Sequence, residues 1–570
     1  MPRRRPIVRI LALVTLAGAA CARGLAPGTW QLAPAAEPAT GTAAMVVSGS
    51  PIASDVGLEV LRRGGNAVDA AVAVGFALAV VHPAAGNIGG GGFMVIRFGD
   101  GEVTALDYRE MAPGAATRGM YLDPAGEVTD QGVTGHLASG VPGAVAGMIE
   151  AHSRFGRLPL QDVMAPAVTL ARDGFFLDRY RSEGLARAAP RLRGFEASRS
   201  QFLVDGEAPP PGTLLVQRDL ARTLQAIADS GARVFYEGYI ADLIVAEMER
   251  GGGLISKADL AAYRPYWRRP IEFEYRGHTI YSMPPSSSGG ITIALILNIL
   301  EGFDPLPDFG TPAHFHLLAE AMRRAFVDRN HYLGDPAFVR IPVDRLIDDA
   351  YAAQRRRTID PERATPSPDV TPGIREGNHT THYSVVDAEG NAVSVSTTIN
   401  SGYGGAVTVT GAGFLLNNEM DDFTSAPGKP NMYGLVQGEA NAIAPHKRML
   451  SAMAPTIVVD PDGNLLMVLG TPGGPTIITT VAQVISNVID HGMSIAAAVA
   501  APRIHHQHQP DSLSYESGGL FAAAIERLES MGHQLRERDG YSGDVAAIYV
   551  DGDRLIGVAD PRRGGGASGY

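Results

Sequence analysis

The sequence predicts an α+β protein whose sheets and helices pack in layers, and three observations carry that reading. Short β-runs and helical runs alternate in both halves of the chain. A helical stretch over residues 67–81 is apolar on nearly every face, which suits a helix enclosed by other elements. Hairpin patterns occur on both sides of the chain's midpoint, so antiparallel pairs are available to each half. With 570 residues, 45% of them hydrophobic, there is ample material for a large core. Length alone suggests two to four domains, but the matched pattern in both halves points to one layered body.

The first residues stand apart. Arg3, Arg4, Arg5 and Arg9 precede an apolar run from Ile10 to Ala20, and Ala20-Cys21-Ala22 closes it. That describes a secretory signal peptide over 1–22, with an N-terminal membrane anchor as the alternative. The run is too short for a structural membrane span. Cys21, the only cysteine, is either a lipidation site or a small residue beside the cleavage point; Gly18, Ala19 and Ala20 fit a lipoprotein signal poorly. After removal of 1–22 no thiol remains, which excludes disulfides, a cysteine nucleophile and cysteine-ligated zinc. The formal net charge of −12 becomes −16 without the four early arginines, and no Lys/Arg stripe follows them. Nucleic acid is therefore excluded as a partner class. The expected location is exported, periplasmic or secreted, without a stable span.

Residues 23–42, rich in Ala, Pro, Gly and Thr, read as a mobile leader. Ser54 is the expected cap of a helix from Asp55 to Arg63 that stops at Gly64-Gly65. The 67–81 helix ends before Pro83. Phe93–Phe98 and Val103–Tyr108 flank the turn Gly99-Asp100-Gly101 as a hairpin. Residues 145–260 are mostly helical, then a strand and loop over 280–290 lead into helices at 291–300 and 314–330. The prolines and polar residues of 358–379 suit an exposed loop open to cutting. Strands follow at 381–386, 393–399, 414–416, 456–459 and 465–469, and helices at 476–489 and 521–531.

Four stretches carry chemistry. In Asn378-His379-Thr380-Thr381-His382-Tyr383-Ser384, a cut before Thr380 gives that threonine a free α-amine beside its hydroxyl. Nucleophile and base then share one residue, since an α-amino group titrates near 8. The turn at 387–391 sets partners across the hairpin that sum to 778, which puts Thr398 opposite Thr380 and Asn400 on the same face. Taken alone, these are as well read as ordinary strand residues. Gly470-Thr471-Pro472-Gly473-Gly474-Pro475 joins a strand to a helix. Its glycines let N–H groups face an oxyanion, although a Gly-Gly turn is also simply a tight connection. In Asp107-Tyr108-Arg109-Glu110-Met111-Ala112-Pro113, Arg109 suits a carboxylate clamp or a surface pair with Glu110. His505-His506-Gln507-His508 suits a polar loop or a metal, but no matching carboxylate spacing accompanies it. No phosphate loop, G-x-S-x-G elbow or H-E-x-x-H motif is present.

These motifs together resemble the γ-glutamyltransferases (γ-glutamyltranspeptidases), which are N-terminal-nucleophile hydrolases. The resemblance extends to Gly89-Gly90-Gly91-Gly92-Phe93, Pro284-Pro285-Ser286-Ser287-Ser288-Gly289-Gly290, Asn417-Asn418-Glu419-Met420-Asp421-Asp422, Pro430-Asn431-Met432-Tyr433-Gly434, and Asp560-Pro561-Arg562, covering about 43–570. It implies a four-layer αββα sandwich. It also implies self-cleavage between His379 and Thr380 into a large subunit (43–379) and a small subunit (380–570) that stay together. The implied nucleophile is Thr380, steadied by Thr398, with Gly473 and Gly474 as oxyanion hole. Arg109 would bind the substrate α-carboxylate, Glu419 and Asp422 the α-amine, and Asn400 the substrate. Tyr433 would belong to a lid.

One position departs from the family: its Leu-Ser-Ser-Met run is here Leu450-Ser451-Ala452-Met453, so Ser451 keeps a hydroxyl and Ala452 lacks one. A missing neutral hydrogen bond is worth about 1 kcal/mol, enough to alter substrate preference. The implied activity is transfer of a γ-glutamyl group from glutathione or a related compound to water or an acceptor amine, without cofactor or metal. Two alternatives remain: a β-lactam side-chain (glutaryl-type) acylase or other amidase on the same scaffold, and a non-catalytic periplasmic binder of γ-glutamyl peptides.

Overall fold

The computed structural model describes residues 37–370, 381–425, 438–538 and 540–570. Two seven-stranded antiparallel sheets lie face to face. One runs Gly566–Gly569, Met45–Ser48, Thr381–Val386, Ala392–Thr398, Gly91–Arg97, Val103–Tyr108, Tyr266–Arg268. The other runs Ala39–Gly41, Arg554–Ala559, Ala546–Asp551, Leu465–Gly470, Thr456–Val459, His278–Ser282, Ile271–Tyr275. Side-chain alternation splits the first sheet between two cores. Met45, Val47, Phe93 and Val95 face the second sheet, where Gly557 leaves room for Met45 and Val47. Val46, Met94, Ile96, Val385 and Val393 face the helices instead.

The helix Ala67–Val81 fills that outer core, and all fifteen of its residues are buried. Asn66 caps it and Asp69 reciprocates, forming a capping box. Asp387, in the turn of the 381–398 hairpin, accepts from Ala67 N–H at 2.8 Å, so that turn is bolted to the helix start. Helices Gly289–Glu301 and Pro475–Ile489 cover the other sheet. The result is the expected αββα order of layers, in one body rather than several domains.

Most elements sit where the sequence places them, and the exceptions have local causes. The first helix is Pro51–Arg62, with Pro51 supplying the first helical residue. Ser54 therefore lies inside the helix, where its hydroxyl donates to Gly566 O at 2.7 Å instead of capping. The leader boundary also shifts: Ala39–Gly41 pairs with the Arg554–Ala559 strand, and Thr42 and Ala43 N–H donate to Tyr570 O at 2.8 Å. No strand forms over 414–416. Gly411 and Gly413 adopt positive φ, Thr223 Oγ1 in the helix Arg218–Ser230 donates to Ala412 O at 2.7 Å, and Phe414 packs on Phe235. The described part of the 358–379 segment is exposed at most positions, as expected, but Ala364, Ser367 and Val370 are buried and anchor it.

Candidate active site

The Thr381–Val386 and Ala392–Thr398 strands pair as Thr381↔Thr397 through Val386↔Ala392, the register the turn predicts. Thr380 and His379 lie outside the described residues, as does Tyr433. Thr398 also pairs with Gly91, and Asn87 Nδ2 donates to Thr398 O at 2.8 Å. The glycine run at 89–92 is explained by this crossing, since a Cβ on Gly90 would collide with Thr398 O. Beyond the strand, Asn400 adopts φ +65. Its N–H donates to Thr398 Oγ1 at 2.8 Å and its side-chain amide to Asn418 O at 3.0 Å.

A narrow cleft lies at this end of the two sheets. Arg109, Thr398, Asn400, Glu419, Asp422, Ser451, Ala452, Met453, Gly474 and Ile477 line it. Ten positions spread over nearly 370 residues of sequence thus converge on one small space. Gly473 (φ +140) and Gly474 (φ +58) make the turn into the helix Pro475–Ile489, with Gly474 at its cap. Pro475 has no N–H, and Thr476 and Ile477 N–H donate back to Gly473 O and Gly474 O at 3.3 and 2.9 Å, so the N–H groups of the glycine turn itself are the setting for an anion. Ser451 N–H donates to Ser286 O at 3.0 Å, and Ser451 Oγ accepts from Met453 N–H at 3.1 Å. Ala452 presents only a methyl beside it.

Arg109 follows directly on the Val103–Tyr108 strand and is fully buried, so the surface-pair alternative is ruled out. Its backbone is fixed at both ends: its N–H donates to Asp107 Oδ1 at 3.0 Å, and its carbonyl accepts from Tyr263 OH at 2.8 Å. The guanidinium donates to Met449 O, Glu419 and Asp422, and lies 3.4 Å from Glu110. Glu419 and Asp422 come from a 3₁₀ turn whose first N–H is held by Asn417 Oδ1 at 3.0 Å. Asn417 in turn donates to Gly89 O and Gly140 O, tying the acidic turn to the glycine run.

Three carboxyls surround this one guanidinium, and all three are harder to ionise than usual. Burial pushes Glu110 up to about 7 against the pull of Arg109. Burial, then Glu110, raises Glu419 well above the ordinary carboxylate range. Burial raises Asp422 too, with Arg109 opposing. Arg329 also acts on Asp422, yet the three carboxyls stay raised, and a ligand bearing a cation beside an anion would suit such a site.

Sequence reasoning did not single out Glu110 as a member of this group, nor Met453 and Ile477 as walls. The run Arg109-Glu110 was the available signal, but adjacency suggested a surface pair. The histidine cluster does not join the site. His505 donates to Gln507 Oε1 and contacts Thr479 Oγ1, both at 2.9 Å, and burial lowers its pKa to about 3. Among the described residues, no three His, Cys, Asp or Glu side chains are grouped to hold a metal ion. Nor is any described helix long and apolar enough to cross a membrane.

Known proteins are similar to this chain over most or all of their own length. The glutathione hydrolase proenzyme of Escherichia coli (strain K12) is 49% identical over 525 residues, covering 91% of this chain and 90% of that protein. The cephalosporin acylase from Bacillus halodurans superposes with a TM-score of 0.82 at 27% identity, covering 96% of this chain and 99% of that one. Helicobacter pylori γ-glutamyltranspeptidase is 46% identical with a TM-score of 0.57, over 60% of this chain and 97% of its own. The γ-glutamyltranspeptidase family model matches residues 53–570, and the chain belongs to that family.

Proposed function

We propose that this protein is an exported precursor that cuts itself before Thr380 and then hydrolyses or transfers the γ-glutamyl group of glutathione and related compounds. The observation that carries this reading is the group of buried acids around Arg109, in a cleft at the end of the strand that follows Thr380. Arg109 pairs with Glu419 and Asp422. An incoming amino-acid head group exchanges that internal pair for two external ones, its α-carboxylate on Arg109 and its α-ammonium on Glu419 and Asp422. Asn400 and Ser451 supply further polar contacts to the γ-glutamyl group.

Maturation is an acyl shift followed by hydrolysis. Thr380 Oγ attacks the carbonyl carbon of His379, a C–O bond forms as the C–N bond breaks, and water hydrolyses the ester. His379 becomes a carboxyl terminus at the end of the large subunit, and Thr380 becomes the amino terminus of the small one. In turnover the same hydroxyl attacks the γ-amide carbonyl, its proton passing to the α-amine directly or through water. Gly473 and Gly474 N–H groups stabilise the oxyanion, an effect worth roughly 3 kcal/mol per donor. The leaving amine takes the proton, and water or an acceptor amine releases the γ-glutamyl group. Thr398 steadies the nucleophile, and Tyr433 covers the bound substrate. Residues 1–22 direct export to the periplasm or medium.

Thr380→Ala tests the reading. Denaturing electrophoresis is expected to give one full-length band without activity, and the wild-type small fragment is expected to begin at Thr380. A cut Thr380→Ala chain would overturn the assignment.

A second reading is favoured by one observation. Ala452 removes a hydroxyl from the cleft wall, and an acylase shares the fold. A panel setting γ-glutamyl-p-nitroanilide against glutaryl amides separates the two. Turnover of glutaryl substrates alone would select the acylase, because a glutaryl group lacks the ammonium that Glu419 and Asp422 are positioned to meet.

A further inference from the structure

The last described residues before the cleavage segment are gripped by side chains from the far side of the cut. Ser367 is fully buried. Its N–H donates to Asp511 Oδ2 and its hydroxyl to Asp511 Oδ1, both at 2.8 Å. Arg323 donates to the same carboxylate and to Ser367 Oγ. His508 Nε2 lies 2.8 Å from Ser367 O and 2.9 Å from Val370 O, so it carries the proton and donates to both. One turn earlier, Thr365 donates through N–H and hydroxyl to Glu320, at 3.1 and 2.6 Å. Ala364 N–H donates to Met531 O at 2.7 Å. None of these groups lines the cleft or takes part in the chemistry described above.

We infer that Asp511 and His508 are positioning residues for self-cleavage, fixing the upstream end of the segment that carries the scissile bond. The downstream end is fixed by the sheet, where Thr381 pairs with Thr397. Ten residues, 371–380, join the two fixed points. Attack by a hydroxyl on the carbonyl just before it needs a chosen backbone geometry. Tethering both ends restricts the conformations the segment samples and raises the fraction competent for attack. Turnover makes no such demand, because by then the bond is broken and the head-group site is complete without residues 364–370.

This inference rests on the self-cleavage reading, and the experiment keeps the two apart. Thr380→Ala alone tests the reading. Asp511→Ala and His508→Leu, each made in the full chain, test the inference through the rate at which full-length protein disappears after synthesis. Cutting is expected to slow by tenfold or more. Activity per cut molecule, counted by sequencing the new threonine terminus, is expected to stay within twofold of wild type. Asp511→Asn, which keeps an acceptor for Ser367 N–H, is expected to recover part of the rate.

Melting of uncut Thr380→Ala protein, with and without Asp511→Ala, provides the folding control. If Asp511→Ala fails that control, His508→Gln and Ser367→Ala carry the same measurement. Cutting at the wild-type rate in folded variants overturns the inference. So does a matching loss of activity per cut molecule, which would mark these residues as general scaffolding.

Discussion

Two buried ion clusters in this protein are built from the same residue types and serve different ends. Around Arg503 and Arg562, two guanidiniums and two carboxylates are balanced pair for pair, while burial and Asp560 push the neighbouring Asp544 up to about 7. Arg562 donates to both oxygens of Glu516 at 3.1 and 3.0 Å, and Arg503 donates to Asp560 at 2.7 Å. The remaining lone pairs are taken by backbone, with Ser542 and Val545 N–H donating to Glu516 and Asp560. Burial works against the Asp560 charge, but Arg503 and Arg562 outweigh it and hold the carboxyl below its usual range. Around Arg109 three acids crowd together and all three carboxyls are raised, although Arg329 also acts on Asp422. The first cluster is tied by its hydrogen bonds and holds the fold together, whereas the second lines a cleft where a ligand's cation can join it.

The strongest test of that contrast is Arg109→Ala. Removing the cation strands three acids, and truncating one partner of a buried charged pair costs about 2–5 kcal/mol. The kcat/KM for a γ-glutamyl anilide should fall on the order of a thousandfold, a change of about 4 kcal/mol. A fall under tenfold would break the assignment of Arg109 to the substrate. In the balanced cluster, Glu516→Gln should cost stability, about 3–5 kcal/mol by urea unfolding, because Arg562 loses its bidentate partner. Its KM should not move. If KM shifts instead of stability, the division between the two clusters fails.

A smaller effect is expected from pH. Glu110, at about 7, is neutral below that value and charged above it, so the attraction for an ammonium grows as pH rises through 7. The inhibition constant of glutamate should therefore fall between pH 6 and pH 8. In Glu110→Gln that dependence should flatten. The smallest change is Ala452→Ser, which offers one neutral hydrogen bond worth about 1 kcal/mol, roughly fivefold in kcat/KM. A preference for γ-glutamyl over glutaryl substrates that grows in this variant would show that position 452 sets specificity.

The sequence carried the periodic part of the fold well. The Ala67–Val81 helix and the Thr381–Val386 and Thr456–Val459 strands fall on the expected bounds, because hydrophobic period and caps agree there. The hairpin register was legible because an Asp-Ala-Glu-Gly-Asn turn leaves few alternatives. Ser54 misled because it has the right side chain for a cap, while Pro51 upstream had already started the helix. The 358–370 stretch is exposed at most positions, as its polar residues and prolines suggest. Its anchor points were not legible, because the polarity of Ser367 and Thr365 is satisfied internally, by Asp511, His508 and Glu320.

At the site, motif resemblance identified most of the lining residues, Met453 and Ile477 apart, but not their charge balance. Glu110 became part of the cluster only once the Glu419–Asp422 turn was seen folded against Arg109.

The strand order has a further consequence for the mature enzyme. In the first sheet, Thr381–Val386 lies between Met45–Ser48 and Ala392–Thr398, and Gly566–Gly569 sits outside Met45–Ser48. In the second, Thr456–Val459 lies between Leu465–Gly470 and His278–Ser282. Each sheet is thus woven from sequence on both sides of the cut proposed before Thr380, like interlaced fingers. The fragments cannot part without unzipping backbone ladders, so halves purified separately after denaturation should regain activity only when refolded as a mixture.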